Sequence, residues 1–139
     1  MKSSITLLLF LSSMSFAYTQ TNLDKAFTAF NLYYVQNAGE YPVQNSREKL
    51  LLNKSEKIID LGELQMPINE VNVRYYSDNE TNKNYVNFSC IGDINCFISN
   101  VTQEKYYVGT SGLMIPFKTK EKCYKWIELF SKVKEEINK

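Results

Sequence analysis

The chain contains no histidine. That absence removes the Ser-His and Cys-His nucleophile systems and the commonest side-chain ligand of transition metals. Zinc would have to rely on the three cysteines and on carboxylates. For catalysis there remain carboxylate pairs, lysine and tyrosine, none of them set in a recognisable motif. An excess of charge is missing too, because 16 basic residues face 15 acidic ones. Such a balance gives no general pull towards phosphate backbones or anionic membranes, so nucleic acid is a poor expectation as a partner. No cofactor or metal is expected. Internal repeats, low-complexity tracts and linker-like stretches are also lacking, which makes one domain the economical reading.

Long apolar runs are scarce as well. Ile5 to Leu11, broken only by Thr6, is too short to read as a membrane span. It follows the positive start Met1-Lys2 and precedes Ser15-Phe16-Ala17, a small-x-small cleavage signal. This is the layout of a secretory signal peptide over residues 1–17, with cleavage after Ala17 and a secreted or periplasmic product beginning near Tyr18. The residue directly after that point is Tyr18 and not a cysteine, which argues against a lipid anchor. Removing 17 of 139 residues leaves 122, and losing Lys2 leaves 15 basic and 15 acidic side chains. The expected product is one near-neutral domain large enough for a real core. It would comprise a helix and connector over residues 18–48 and a sheet with a closing helix over 49–139.

Three cysteines in an exported chain imply one pair and one left over. Between Cys90 and Cys96 lie Gly92, Asp93 and Asn95, all turn formers. If Cys90 ends one strand and Cys96 begins the next, a disulfide could face across a hairpin and stabilise by up to ~3 kcal/mol. The plain alternative is two buried thiols on neighbouring strands. Four Asn-x-Ser/Thr triplets begin at Asn53, Asn79, Asn87 and Asn100. With 14 asparagines in the chain, about two would arise by chance, so the excess supports no claim about glycans.

Periodicity supplies the fold class. Leu23, Ala26, Phe27, Phe30, Tyr33 and Tyr34 recur at helical steps over residues 22–34, behind a cap at Thr21 or Asn22. The Tyr33-Tyr34-Val35 cluster could instead be extended. Short β-favouring runs follow at 49–52, 57–61, 68–76, 85–90, 96–100, 105–108 and 113–117, separated by turn formers. Their alternation suits strands with one face buried, and their spacing predicts an antiparallel meander. Thr119 then caps a helix running to about Ile137, whose apolar stripe is Cys123, Trp126, Ile127, Phe130, Val133 and Ile137. Glu121 with Lys125 and Glu128 with Lys132 are spaced as four-apart ion pairs. Such a stripe must lie on something apolar, and the β region is the large candidate.

Candidate sites are few. Asp78, Glu80, Asn82 and Asn84 make an oxygen-rich loop, but the sixth and twelfth positions of a calcium loop are filled by Lys83 and Ser89. A polar hairpin loop is the better reading. The doublets Tyr75-Tyr76 and Tyr106-Tyr107 should each bury one ring and expose the other. The exposed rings are a possible contact surface, since tyrosine brings area and a hydroxyl at modest entropy cost. The bland reading is that aromatic residues favour strands. Cys123, on the helical stripe, reads as a buried thiol, with bridging to another cysteine as the sharper alternative.

About seven antiparallel strands closed by one amphipathic helix resemble the pleckstrin-homology-like fold, over roughly residues 49–137. The likeness rests on residues 68–76 leading into 85–90, the Cys90/Cys96 element and the terminal helix with its inward Trp126. The whole chain is also similar to small exported bacterial proteins of unknown role, through Leu23…Ala26-Phe27…Asn31 and Cys90…Gly92…Cys96-Phe97-Ile98. The resemblance implies an α+β domain with an N-terminal helix, an antiparallel meander or partly open barrel, and a C-terminal helix packed on it. It carries no catalytic residues. Phosphoinositide-binding members use a basic first hairpin; here Arg47, Lys49, Lys54 and Lys57 are interrupted by Glu48 and Glu56. Headgroup binding is therefore not expected. A cystatin-like roll is the alternative fold. The expected function is an exported, non-enzymatic binding module for a protein, peptide or lipid-like ligand, which an exposed strand edge could accept as an added strand. The rivals are an inhibitor or immunity-type protein acting on a secreted enzyme, and a small carboxylate-dependent hydrolase.

Overall fold

The computed structural model describes residues 20–38, 49–92, 95–106, 108–109 and 112–139. The expected leader, Arg47 and Tyr107 lie outside these residues. Helix α1 (Asn22–Asn37) starts at Thr21, whose hydroxyl accepts from the Asp24 N–H while the Asp24 carboxylate accepts from the Thr21 N–H. This reciprocal capping box satisfies donors that a helix start leaves open. Tyr33, Tyr34 and Val35 are helical, so the extended alternative for that cluster does not hold.

Eight strands follow: β1 (Leu51–Asn53), β2 (Ile58–Asp60), β3 (Leu64–Pro67), β4 (Val71–Asp78), β5 (Lys83–Cys90), β6 (Phe97–Ser99), β7 (Lys105–Tyr106) and β8 (Leu113–Phe117). Helix α2 (Lys120–Glu136) comes last, with Thr119 accepting from the Lys122 N–H at its start. The expected α+β architecture is present, with a helix at either end of an all-antiparallel β region. It needs correction in detail. Among the described residues the strands form two sheets, ordered β1-β2-β3-β6-β7 and β4-β5-β8, and no closed barrel. The cystatin-like alternative is not needed. The run expected as one strand over 68–76 is a 3-10 turn, Ile68–Glu70, followed by β4. β3 was not expected as a separate strand. The ladder tolerates Pro67 at the strand's end opposite Ile58, and the next residue, Ile68, donates to the Lys57 carbonyl at 2.9 Å.

One face of the three-stranded sheet carries Val71, Val86, Phe88, Leu113, Ile115 and Phe117, all buried. α2 packs on this face and α1 packs beside it. Phe30 meets Trp126 and Phe130 while Tyr34 meets Trp126, so the helices run antiparallel. Trp126 is fully buried: its ring stacks on Phe30 at 4.7 Å, meets Phe88 edge-on at 5.5 Å, and its indole N–H donates to the Phe30 carbonyl at 3.2 Å. Ile59, Met66 and Phe97 bring the five-stranded sheet into the same core. On α2, Lys132 and Lys125 both pair with Glu128, at 2.7 and 2.9 Å. Glu121 does not pair with Lys125 as its spacing suggested. Its carboxyl is held below the usual range by its own backbone N–H and the Thr119 hydroxyl, where a helix start favours negative charge.

Candidate functional site at the outer edge of β4

β4 is the longest strand together with β5, and it lies at the edge of its sheet. Its register with β5 runs without interruption from Val71 opposite Cys90 to Asp78 opposite Lys83, so no bulge twists it away. The Ile91 N–H donates to the Glu70 carbonyl at 2.8 Å. Antiparallel alternation then turns the backbone groups of Val71, Val73, Tyr75 and Ser77 outward, away from β5. A contact agrees with this: the Lys134 ammonium donates to the Val71 carbonyl at 3.1 Å. Among the described residues no strand pairs with this edge.

The opposite edge of the same sheet differs. Pro116 of β8 stands opposite Tyr85. Alternation places the missing proline N–H on the outer side, which blunts that edge. An isolated bridge between Ala38 and Phe117 covers it further. Of the two edges, only that of β4 offers a run of outward backbone groups.

Tyr75 and Tyr76 behave as a strand doublet should. Tyr75 points to the helical side, half-buried, with its ring 5.3 Å from Tyr124 and its hydroxyl donating to Asn84 Oδ1 at 2.7 Å. Tyr76 points to the other face, 42% exposed, near Tyr85. Tyr106 is exposed on β7, an edge strand of the other sheet, so strand pairing does not bring the two doublets together. Sequence reasoning missed Tyr124 and Lys120. The Lys120 ammonium stands 5.4 Å from the Tyr75 ring centre and 5.7 Å from that of Tyr124. Their four-residue spacing off the apolar stripe was visible, but its meeting with β4 was not.

Cys90 and Cys96 stand at disulfide distance, with sulfurs 2.08 Å apart. They do not span a hairpin. Cys90 ends β5 of one sheet and Cys96 precedes β6 of the other, so the bridge ties the sheets together. Cys123 is free and buried, and burial pushes its thiol up to about 11. In the loop after β4, Asp78 accepts from the N–H groups of Glu80 and Thr81 and from the Thr81 hydroxyl. These bonds, that of Thr81 foremost, hold its pKa below the usual carboxylate value, and they spend its oxygens on shaping the turn. No group of three metal-ligating side chains occurs among the described residues. Asp24, through Lys54, and Glu128, down to about 2 through Lys132 and Lys125, are likewise held low.

An open depression of about 600 Å³ lies over Leu51, Asn53, Ser55, Ile58, Asp60 and Gln65. Its polar groups are engaged with one another: Asn53 with Ser55 and Glu56, and Asp60 and Gln65 with Asn100. Asn87, in the middle of β5, is 1% exposed, and its side-chain oxygen accepts from Arg74 Nε at 3.0 Å. Asn53, at the end of β1, and Asn79, in the turn after β4, are exposed. Compared with known protein families, with curated proteins and with solved structures, the chain finds no match.

Proposed function

We propose that this protein is an exported, non-enzymatic binding module that takes up an extended segment of a partner as an added strand on the outer edge of β4. The observation that carries the reading is the contrast between the two edges of one sheet. The β8 edge is blunted by Pro116 and bridged by Ala38, while among the described residues no strand pairs with the outer edge of the eight-residue β4, where Lys134 bonds the Val71 carbonyl at one end. Long unprotected edges are a hazard that folds usually remove, and their retention fits a surface that is used. Tyr75 and Tyr124 beside the edge add aromatic area for the partner's side chains. The leader pattern of residues 1–17 and the Cys90–Cys96 bridge support an oxidising, extracytoplasmic compartment. A C-terminal helix packed on an antiparallel β region supports the pleckstrin-homology-like reading. If the partner is a secreted enzyme, the same edge would serve an inhibitor.

The test is to select binders from a displayed library of eight-residue peptides and map amide hydrogen exchange in the bound protein. New protection at Val73, Tyr75 and Ser77 is expected. Selected peptides that protect only other segments would overturn the reading.

A further inference from the structure

We infer that the segment added to β4 is acidic: an extended peptide with apolar residues at its centre and a carboxylate near each end. This rests on the strand-addition reading and adds to it the chemistry of the ligand.

The argument starts from the spacing of one flank of α2. Lys120, Tyr124, Ile127, Ser131 and Lys134 follow each other at steps of four, three, four and three, which places them on one stripe. Contacts at both ends lay that stripe along β4. Lys120 and Tyr124 meet Tyr75, and Lys134 meets the Val71 carbonyl. α2 thus runs antiparallel to β4, and this flank of the helix lies beside the strand. The middle of this contact is apolar, with Val73 and Ile127 half-buried against the core. Its two ends carry ammonium groups.

The acids of α2 face elsewhere. Glu128 pairs with Lys125 and Lys132, Glu135 and Glu136 pair with Lys139, and Glu121 turns to Thr119. Asp78, at the far end of β4, is committed to its own turn. Glu70, just before β4, makes the Lys134 end the less positive of the two. On the outer face of the strand stand a cation, Arg74, bonded to Asn87, and at the end the same Asp78 that its turn engages. A basic segment would meet this rim with like charge, and a neutral one would leave both lysines without a partner from the ligand.

Length agrees with charge. The fourteen steps from Lys120 to Lys134 span about 21 Å of helix axis. Six residues of extended chain span about 20 Å, and an even step returns the side chain to the same face. Carboxylates at the first and seventh positions of a strand would therefore address both lysines while the third and fifth side chains fill the apolar middle.

The probe is the blocked peptide ETVTVTE, compared by calorimetry with QTVTVTQ and KTVTVTK at low salt. Two partly exposed charge pairs should make the acidic peptide bind about tenfold tighter than the neutral one, with the basic one weakest. The gap should close in about 0.5 M salt. The double variant K120E/K134E should invert the order, with unchanged Trp126 emission showing that the fold is kept. Equal binding of all three peptides, or tighter binding of the basic one, would overturn the acidic preference and leave strand addition standing. A backbone N-methylated ETVTVTE that binds as well as the parent would overturn strand addition itself. Failure of every peptide to bind would overturn both.

Discussion

Trp126 is the single tryptophan of the chain, and its surroundings allow the cost of losing it to be worked out. The ring is wholly enclosed, stacked on Phe30 and edged by Phe88, with Phe117 at 5.2 Å and Tyr34 at 5.5 Å. It is therefore the point where both helices and the three-stranded sheet meet. Trp126→Phe keeps most of the apolar contact but leaves a void of roughly 40 Å³, which at about 24 cal/mol per Å³ costs about 1 kcal/mol. The indole N–H bond to the Phe30 carbonyl is lost as well, for about 1 kcal/mol more. Trp126→Ala removes the stack altogether and should cost about 3–5 kcal/mol, a large part of what a domain of this size possesses. Urea unfolding followed by far-UV circular dichroism measures both variants. With a slope near 1.5 kcal/mol per M, the Phe variant should move the midpoint down by about 1.3 M. In the parent, tryptophan emission should shift to the red in the same transition. A Trp126→Ala cost below about 1 kcal/mol would refute the docking of α2, because no fully buried aromatic residue comes out so cheaply.

Three further outcomes are expected. Replacing Cys90 and Cys96 by serine opens a closed loop of seven residues, from a sequence separation of six, and should cost about 2 kcal/mol in urea unfolding; no change would show that the bridge does not hold the sheets together. Cys123, its thiol pushed up to about 11 by burial, should resist alkylation at pH 8 in the native protein and take up one label in unreduced denaturant; rapid native labelling would contradict its burial. Lys132 and Lys125 lower Glu128 from its ordinary 4.5 to about 2, so its contribution is present above pH 4.5 and lost as pH falls towards 2. Glu128→Gln should flatten that part of the acid-unfolding curve, and high salt should do the same because the group is exposed; an unaltered curve at low salt would count against the pairing.

α2 was legible because its apolar stripe spans nearly five turns and Thr119 marks its start. β8 was legible to the residue as a short β-favouring apolar run, Leu113 to Phe117, whose alternating burial only the structure shows. Pairing was not legible. Whether Cys90 and Cys96 face across a hairpin or tie two sheets depends on where β6 finds a partner, and besides the next strand, β7, it pairs with β3, which lies far back in the sequence. β3 itself escaped because four residues ending in proline look like a connection, while their burial comes from neighbours. The candidate site divides in the same way. The opposed faces of Tyr75 and Tyr76 follow from strand geometry alone. The roles of Lys120, Tyr124 and Lys134 arise only when one helix flank is laid along β4, a choice made by Trp126 and the core on another side of the helix.

The enclosure of Asn87 bears on how the protein can be produced. In a secretory lumen where asparagine in this triplet receives a sugar on the emerging chain, the adduct would precede strand pairing. With the side chain 1% exposed and its oxygen held by Arg74, the paired sheet has no room for it. Material from a glycosylating host should thus separate into a folded fraction bare at Asn87 and an aggregating fraction that carries the sugar there.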